Sequence, residues 1–528
     1  MREASPNWQG VSRARATAHS LILLLLALPG GSSLRAFAAP PTVTRVEPAA
    51  AIPGMETVLQ LAGENLGGPA RLWTSFPCDG SLERDDKTIA FKLQIARDRT
   101  PGIGAIRIVT TNGMSGLQLL LIDPAPAVAG ATNRTIATAQ PLARGTAADG
   151  VCEELQSAFY RLTARKGERF DLEVVAQRFG SPLDPLLRVL DASGRELASN
   201  DDAPGLGADA RLEFRASNAG DYFVEVRDTR YAGSSRHCYR VRCAEPLPNP
   251  LPFFGNPSLA RFTAPPAASP LLVEKEPNDS QAQFITLPVE IDGRFSKPGD
   301  RDVFAFHAKK GERLLFSGRT RSLGSPCDLF LRIQTTNGTR IADSNATGGD
   351  EGVLTNRFTE TGVYHLVVEE LNHLGGRDLN YQLAVQSLEP GFQLTAEAER
   401  FSVPAGDTME IEVQAQRRDY DGPISLKLIG LEEGFVATNN IIAAKTNATK
   451  IRVTVPANLP LGEFFEFGLV GSAVIGSNGV TARVSTIPAL RVLFPEMRHP
   501  PVELDGLMSL SISESKSTSP TPLRKKRK

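Results

Sequence analysis

The sequence predicts an all-β chain built as tandem β-sandwiches. Short runs alternate apolar and polar residues at period two, as in Ile106-Arg107-Ile108 and Thr408-Met409-Glu410-Ile411-Glu412-Val413, and long amphipathic helical patterns are absent. Turn signals such as Asn112-Gly113 and Asp421-Gly422 separate those runs. A chain of 528 residues is also too long for one hydrophobic core, so the strands divide among several domains. The formal net charge of -1 supplies no field that would recruit nucleic acid or an acidic membrane, and no nucleic-acid partner is expected.

Residues 1–38 read as a secretory signal peptide. Arg13, Arg15 and His19 precede the apolar run Leu21–Leu28, and Ala36-Phe37-Ala38 places small residues at a cleavage point after Ala38. The apolar run is too short to span a bilayer, and no second one is long enough. The mature chain is therefore expected without a membrane span, in the secreted, periplasmic or cell-surface space. Export favours disulfides among Cys78, Cys152, Cys238, Cys243 and Cys327. The spacing admits a bridge from Cys152 to Cys238 or Cys243 without choosing between them, and five cysteines leave at least one thiol unpaired or intermolecular. No CxxC pair points to zinc or redox chemistry.

Residues 40–124 form the first expected domain. It opens on Pro41-Thr42-Val43-Thr44-Arg45-Val46-Glu47-Pro48, continues through Gly54 and Leu59-Gln60-Leu61-Ala62-Gly63-Glu64-Asn65-Leu66, and closes on Gly104–Gly113. Ile106 and Ile108 against Arg107 read as a half-buried strand entering a hairpin at Asn112-Gly113. The opening, the Gly-Glu-Asn-Leu strand and the final hairpin resemble an IPT/TIG domain, a small immunoglobulin-like sandwich used as a spacer or binding platform.

Residues 131–245 and 273–388 repeat one another. Lys166-Gly167-Glu168-Arg169 matches Lys310-Gly311-Glu312-Arg313, Gly180-Ser181-Pro182 matches Gly324-Ser325-Pro326, and Arg188 and Gly194 match Arg332 and Gly338, all at one offset. After a short length change, Gly220, Tyr222 and Tyr239 match Gly362, Tyr364 and Tyr381. Phe304 and Phe306 alternate against His307, and Tyr364, Leu366 and Val368 against His365, so each copy reads as an antiparallel sandwich of short strands. Glu276-Pro277-Asn278-Asp279, Gly293, Asp300-Arg301-Asp302-Val303-Phe304, Lys310-Gly311-Glu312 and Gly362-Val363-Tyr364 resemble the bacterial pre-peptidase C-terminal (PPC) domain, related to the jelly-roll, collagen-binding domain of clostridial collagenases. The first copy lacks the opening motif, having Ala131-Thr132-Asn133-Arg134 instead. The order of a TIG unit before such repeats also resembles exported proteins of planctomycete-type bacteria.

Residues 246–272 are proline-rich and read as a semi-extended linker whose Phe253 and Phe254 pin it to a neighbouring sandwich. Residues 391–495 alternate again, as in Lys450-Ile451-Arg452-Val453-Thr454-Val455, and read as an immunoglobulin-like sandwich. Residues 496–528 turn polar and end in Arg-Lys-Lys-Arg-Lys, so they are expected as a disordered basic tail.

The strongest candidate site is a metal site at the opening of the second copy. Pro277 keeps Glu276 extended, so Glu274, Glu276 and Asn278 share a face. Asp300 and Asp302 repeat that geometry before the next strand. Such an oxygen-only set suits a hard cation, calcium above all. Related collagen-binding domains hold calcium with acids from these two segments, and the resemblance implies the same for Glu274, Glu276, Asn278, Asp300 and Asp302. The competing reading is a solvated acidic turn with Asp302 capping backbone amides. The first copy has Ala129, Ala131, Gln156 and Ala158 at the equivalent positions, so no cation is expected there. Asn200-Asp201-Asp202 with Asp209 is a second acidic cluster, read as a solvated turn.

No catalytic residue is assigned: Gly-x-Ser-x-Gly, His-Glu-x-x-His and a phosphate-binding loop are absent. The sequence therefore predicts a non-catalytic, exported scaffold that binds an extracellular polysaccharide or protein through exposed aromatics such as Trp73, Tyr231 and Phe254. The alternative is the accessory portion of a secreted peptidase system.

Overall fold

A computed structural model describes residues 39–77, 79–84, 88–128, 132–255, 269–344, 351–431, 433–497 and 499–518. The expected signal peptide, Cys78, Ala129 and Ala131 lie outside them. Nearly every regular element is a strand, as the period-two patterning requires.

The first sandwich packs the sheet Thr42–Glu47, Glu56–Glu64, Thr88–Gln94, Asp79–Arg84 against the sheet Ala50–Ala51, Gln118–Ile122, Gly102–Thr110, Ala70–Thr74. Leu59, Leu61, Ile89, Phe91, Ile106, Ile108 and Leu120 fill the space between them. The Asn112-Gly113 turn closes a hairpin in which Thr110 pairs with Gly113, and Gly113 takes a φ of 127° that suits glycine.

The two repeat copies have corresponding strand orders. In the first, the sheet Gln140–Pro141, Ala158–Ala164, Gly220–Asp228, Pro185–Leu190, Glu196–Asn200 faces the sheet Thr146–Val151, Cys238–Cys243, Arg169–Val175, Arg211–Arg215. In the second, Gln283–Phe284, Arg301–Ala308, Gly362–Glu370, Leu329–Thr335, Arg340–Asp343 faces Leu271–Val273, Val289–Arg294, Asn380–Ser387, Arg313–Arg319, Val353–Arg357. Phe304, Phe306, Tyr364, Leu366 and Val368 enter the second core, while His307 is exposed and His365 half-buried.

The last module corrects one expectation. The chain beyond 495 is not all tail: Met508–Ile512 is a fully buried strand, paired with Phe464–Phe467 and with Arg400–Val403. Met508, Leu510 and Ile512 complete the module's core, and the intervening Ser511 meets Ser402 at 2.9 Å. The polar composition concealed a strand whose serines are buried, Ser511 against Ser402. Ser517–Thr518 adds an edge pairing, and residues 519–528 lie outside the described residues.

Contacts between modules account for three further corrections. Arg107 is not on a solvent face. It is 1% exposed and donates to Glu399 of the last module at 2.5 Å. Trp73 is half-buried, its Nε1–H donating to Glu466 at 2.8 Å beside Phe464. Phe254 is not an exposed aromatic but does pin the linker to the first sandwich, as expected for the Phe253-Phe254 pair: its N–H donates to the Ile103 carbonyl at 2.7 Å, and the Ile103 N–H donates to the Pro252 carbonyl. Of the three aromatics only Tyr231, 42% exposed beneath Arg227, stays at the surface. The thiols of Cys152, Cys238, Cys243 and Cys327 are unbridged. Cys152 turns into the sandwich core and Cys238 to the outer face of the same sheet, so the nearest candidate pair points apart.

Asp123 sits where the first sandwich meets the first repeat copy. Fully buried, it accepts Arg240 Nε (2.7 Å), Arg242 Nε (2.9 Å) and Nη2 (3.2 Å), and the Ala125 N–H (3.0 Å). Arg240 also donates to Asp149, and Arg242 to Glu173. Each buried charge thus has a counter-charge, the condition for tolerating it away from water.

Candidate metal centre

Two segments of the second copy converge on one end of its sandwich. The first continues the strand Leu271–Val273: the Glu274 N–H donates to the Asp292 carbonyl at 3.0 Å, and Glu274 Oε1 accepts the Arg294 N–H at 2.7 Å. Glu276 Oε2 then accepts the Asn278 N–H at 2.9 Å. The second is the turn into the strand Arg301–Ala308. Asp300 Oδ2 accepts the Ser296 N–H at 2.6 Å, which fixes that turn. Asp302 pairs in register with Val368 and so shares the core-facing side with Phe304 and Phe306. A carboxylate thus stands at a strand position whose neighbours are core phenylalanines.

The carboxylates of Glu276, Asp300 and Asp302 each bring an oxygen within 4.8 Å of the others. Asn278 and Asp302 are fully buried and Asp300 nearly so, while Glu276 faces solvent. Among the described residues, Asn278 Oδ1, Asp300 Oδ1 and Asp302 Oδ1 accept no hydrogen bond. Lys297 stands at the rim, its ammonium 3.4 Å from Asp300 Oδ1 and 2.6 Å from Asp279 Oδ2. Glu274 lies just outside the triad: the Tyr381 hydroxyl donates to Asp302 Oδ2 at 2.7 Å and sits 3.3 Å from Glu274 Oε2.

The electrostatics follow from that crowding. Burial first, then the charge of Glu274, pushes the Asp302 carboxyl up to about 8. Burial also raises Glu274, against the lowering effect of the Arg294 N–H. Tyr381 is raised by burial and by the two carboxylates it faces. Without a cation, the centre holds a proton that an exposed aspartate would have lost.

Glu276, Asp300 and Asp302 are thus brought together with Asn278 beside them, and Glu274 joins through Tyr381. Tyr381 and Lys297 were not among the residues singled out. Tyr381 had a signal in the sequence, its match to Tyr239, and in the structure both rings lie over a glycine. A Cβ at Gly293 would fall 2.1 Å from Tyr381 Cζ, and one at Gly150 would fall 2.4 Å from Tyr239 Cζ. In the first copy Ala158 occupies the place of Asp302 within the core, Gln156 is exposed, and the Tyr239 hydroxyl meets Tyr160 at 2.8 Å. The other acidic cluster does not assemble: the buried Asp209 carboxylate pairs with Arg178 at 2.6 Å and caps the Ala176 and Gln177 N–H groups, while Asp201 and Asp202 stay exposed.

Fold and site together define an all-β chain of tandem sandwiches, one of which bears a convergent carboxylate cluster. Residues 156–228, the body of the first repeat copy, match the bacterial pre-peptidase C-terminal domain. A probable subtilase-type serine protease of Deinococcus radiodurans is 32% identical over 104 residues, which is 19% of this chain and only 14% of that protein. Among solved structures, the pre-peptidase C-terminal domain of a Bacillus anthracis collagenase aligns at 20% identity over 21% of this chain and all of that one, with a TM-score of 0.17. A Bacteroides ovatus mixed-linkage glucan utilization protein, SGBP-B, solved with a mixed-linkage heptasaccharide, aligns at 10% identity over 66% of this chain and 74% of its own, with a TM-score of 0.16. No helix among the described residues is long and apolar enough to cross a membrane.

Proposed function

We propose that this chain is a non-catalytic, exported bacterial scaffold whose second repeat copy is a PPC-type module stiffened by a bound calcium ion. In this reading the first sandwich is a TIG-like platform, and the ligand is an extracellular polysaccharide or protein. One observation carries the cation: three carboxylates converge at a site where Asn278 Oδ1 and Asp302 Oδ1 lack donors among the described residues and Asp300 Oδ1 meets only the Lys297 ammonium, at 3.4 Å. Buried polar atoms are normally satisfied, and clustered carboxylates repel unless a proton or a cation intervenes. An all-oxygen set mixing carboxylates with an amide is the chemistry calcium selects over softer metals. Glu276, Asp300, Asp302 and Asn278 would hold the ion, and Glu274 would stand behind them through Tyr381. Bound there, the ion supplies positive charge that ties the segment 274–278 to the turn 296–302. The chain's own residues do the rest: Ser296 fixes Asp300, and Tyr381 fixes Asp302.

The binding role is tested by screening residues 39–528 against glycans and matrix proteins, in calcium and in chelator. Retention of at least one polymer is expected, and an empty screen would leave a purely structural spacer. A second reading, the accessory part of a secreted peptidase system, is favoured by the named activity of the Deinococcus relative. Casein hydrolysis by the purified chain that a serine-protease or metal inhibitor abolishes would overturn the non-catalytic assignment.

A further inference from the structure

The two repeat copies serve as controls for each other. In the first, the outer face of the sheet Thr146–Val151, Cys238–Cys243, Arg169–Val175 is sealed by other parts of the chain: Ala147, Glu173, Val175, Arg240 and Arg242 are all at most 2% exposed. Gly293 pairs with Tyr381 as Gly150 pairs with Tyr239, so strand register fixes the equivalent positions as Glu290, Ser317, Arg319, Gln382 and Ala384. None of these is buried. This outer face is a docking surface in one copy and stands open in the other.

Its open version has a pattern. Across the sheet, the edge strand presents Leu271 and Val273, 60% and 62% exposed. The next strand presents Glu290 and Asp292, the central one Gln382 and Ala384, the fourth Ser317 and Arg319, and the far edge Val353, 42% exposed. At the levels of Glu290 and Asp292 the order is apolar, acidic, neutral, Ser317 with basic Arg319, apolar, and there it is complementary to itself about the central strand, while the exposed Arg294 ends the acidic strand on a positive charge. Asp292 is half-buried, and its Oδ1, itself shielded from water, accepts no hydrogen bond among the described residues. Its first-copy counterpart, Asp149, is satisfied by Arg240 and by the Ala49 N–H of the docked sandwich. The second copy has Gln382 where the first has Arg240. Arg319 approaches Glu290 at only 3.9 Å, with the arginine side chain 53% and the glutamate side chain 31% exposed, and a pair so open to water holds a guanidinium weakly.

We propose that this face pairs with the same face of a second copy of this chain. A two-fold axis along the strand Asn380–Ser387 sets Arg319 of each protomer over Asp292 of its partner, Gln382 over Gln382, Ala384 over Ala384, and Val353 over Leu271. An isologous contact requires this reciprocity, and it packs the two sheets in the aligned manner of a sandwich. The rotation perpendicular to it in the interface plane would stack acid on acid. Five strands about 4.8 Å apart give a face smaller than the roughly 800 Å² per partner of a stable interface, so the dimer is dilution-sensitive and weakens with salt.

Sedimentation of residues 39–528 across a concentration series tests this. The wild type is expected to move from monomer toward dimer as concentration rises. Arg319→Asp and Asp292→Arg should each remain monomeric alone, and an equimolar mixture should regain the dimer, because the reversed charges again meet their opposites. If the far-UV spectrum or unfolding midpoint of Asp292→Arg departs from wild type, Leu271→Lys, a change at an exposed edge position that faces Val353 of the partner, replaces it and should likewise remain monomeric. A wild-type monomer at every concentration, or a dimer indifferent to both reversals, would overturn the proposal.

Discussion

Replacing Asp123 by alanine tests whether buried charge welds the first sandwich to the first repeat copy. Asp123 accepts three bonds from two guanidiniums that are themselves at most 2% exposed. Charge-assisted hydrogen bonds contribute about 1.5–3 kcal/mol each, but they are not additive here. Arg240 keeps Asp149, and Arg242 keeps Glu173 at 2.8 Å. The loss is therefore closer to that of breaking one buried pair, about 3–5 kcal/mol, a large part of the roughly 5–15 kcal/mol that holds a typical domain. The assay is denaturant unfolding of residues 39–528. Trp73 is the single tryptophan there and reports the first sandwich together with its contact to Glu466 and Phe464 of the last module, while far-UV dichroism reports all modules. In the variant the Trp73 transition should move to lower denaturant and separate from the dichroism transition. Coincident transitions shifted by under about 1 kcal/mol would refute the reasoning, because so small a loss means the guanidiniums are not dependent on Asp123.

Three other predictions concern the second copy and the last module. With chelator present, the unfolded chain releases the Asp302 proton near 3.8 and the folded chain near 8, so this stabilisation is full below about pH 4 and is lost as pH rises through about 8, at up to about 1.4 kcal/mol per pH unit. Asp302→Asn should flatten that slope in a melting series. Gly293→Ala sets a methyl against the buried Tyr381 ring. It should cost about 1–3 kcal/mol by overpacking, measured by denaturant unfolding, and weaken any calcium-induced rise in melting temperature. Truncation after residue 500 removes Met508, Leu510 and Ile512 from the core. At about 1.5–3 kcal/mol per buried side chain, the last module should become protease-sensitive at once.

Alternation and repetition were legible because they are local or self-referential. Phe304 and Phe306 against His307, or Lys166-Gly167-Glu168 against Lys310-Gly311-Glu312, need no knowledge of distant partners. The carboxylates of the second copy were legible for the same reason: two short segments each place alternate acids on one side, and the degenerate copy shows the fold standing without them. What escaped depended on surfaces brought together from far along the chain. Arg107 alternates as a solvent-facing residue should, yet Glu399 meets it some 290 positions later. Trp73 and Phe254 looked exposed because their covers, Phe464 and the first sandwich, lie in other segments. The strand Met508–Ile512 was lost in a serine-rich stretch because its Ser509 and Ser511 are buried, Ser511 against Ser402 rather than water. Tyr381 was seen as a landmark, but its link to Asp302 requires the register across the sandwich.

The account rests on a hard cation in the second copy and none in the first. The most direct measurement is a calorimetric calcium titration of residues 39–528 after chelator treatment, run beside Asp302→Asn and Glu276→Ala. Binding heat in the wild type, lost in both variants whose far-UV spectra match it, is the predicted result. No heat in the wild type, or heat that both variants retain, would contradict the account.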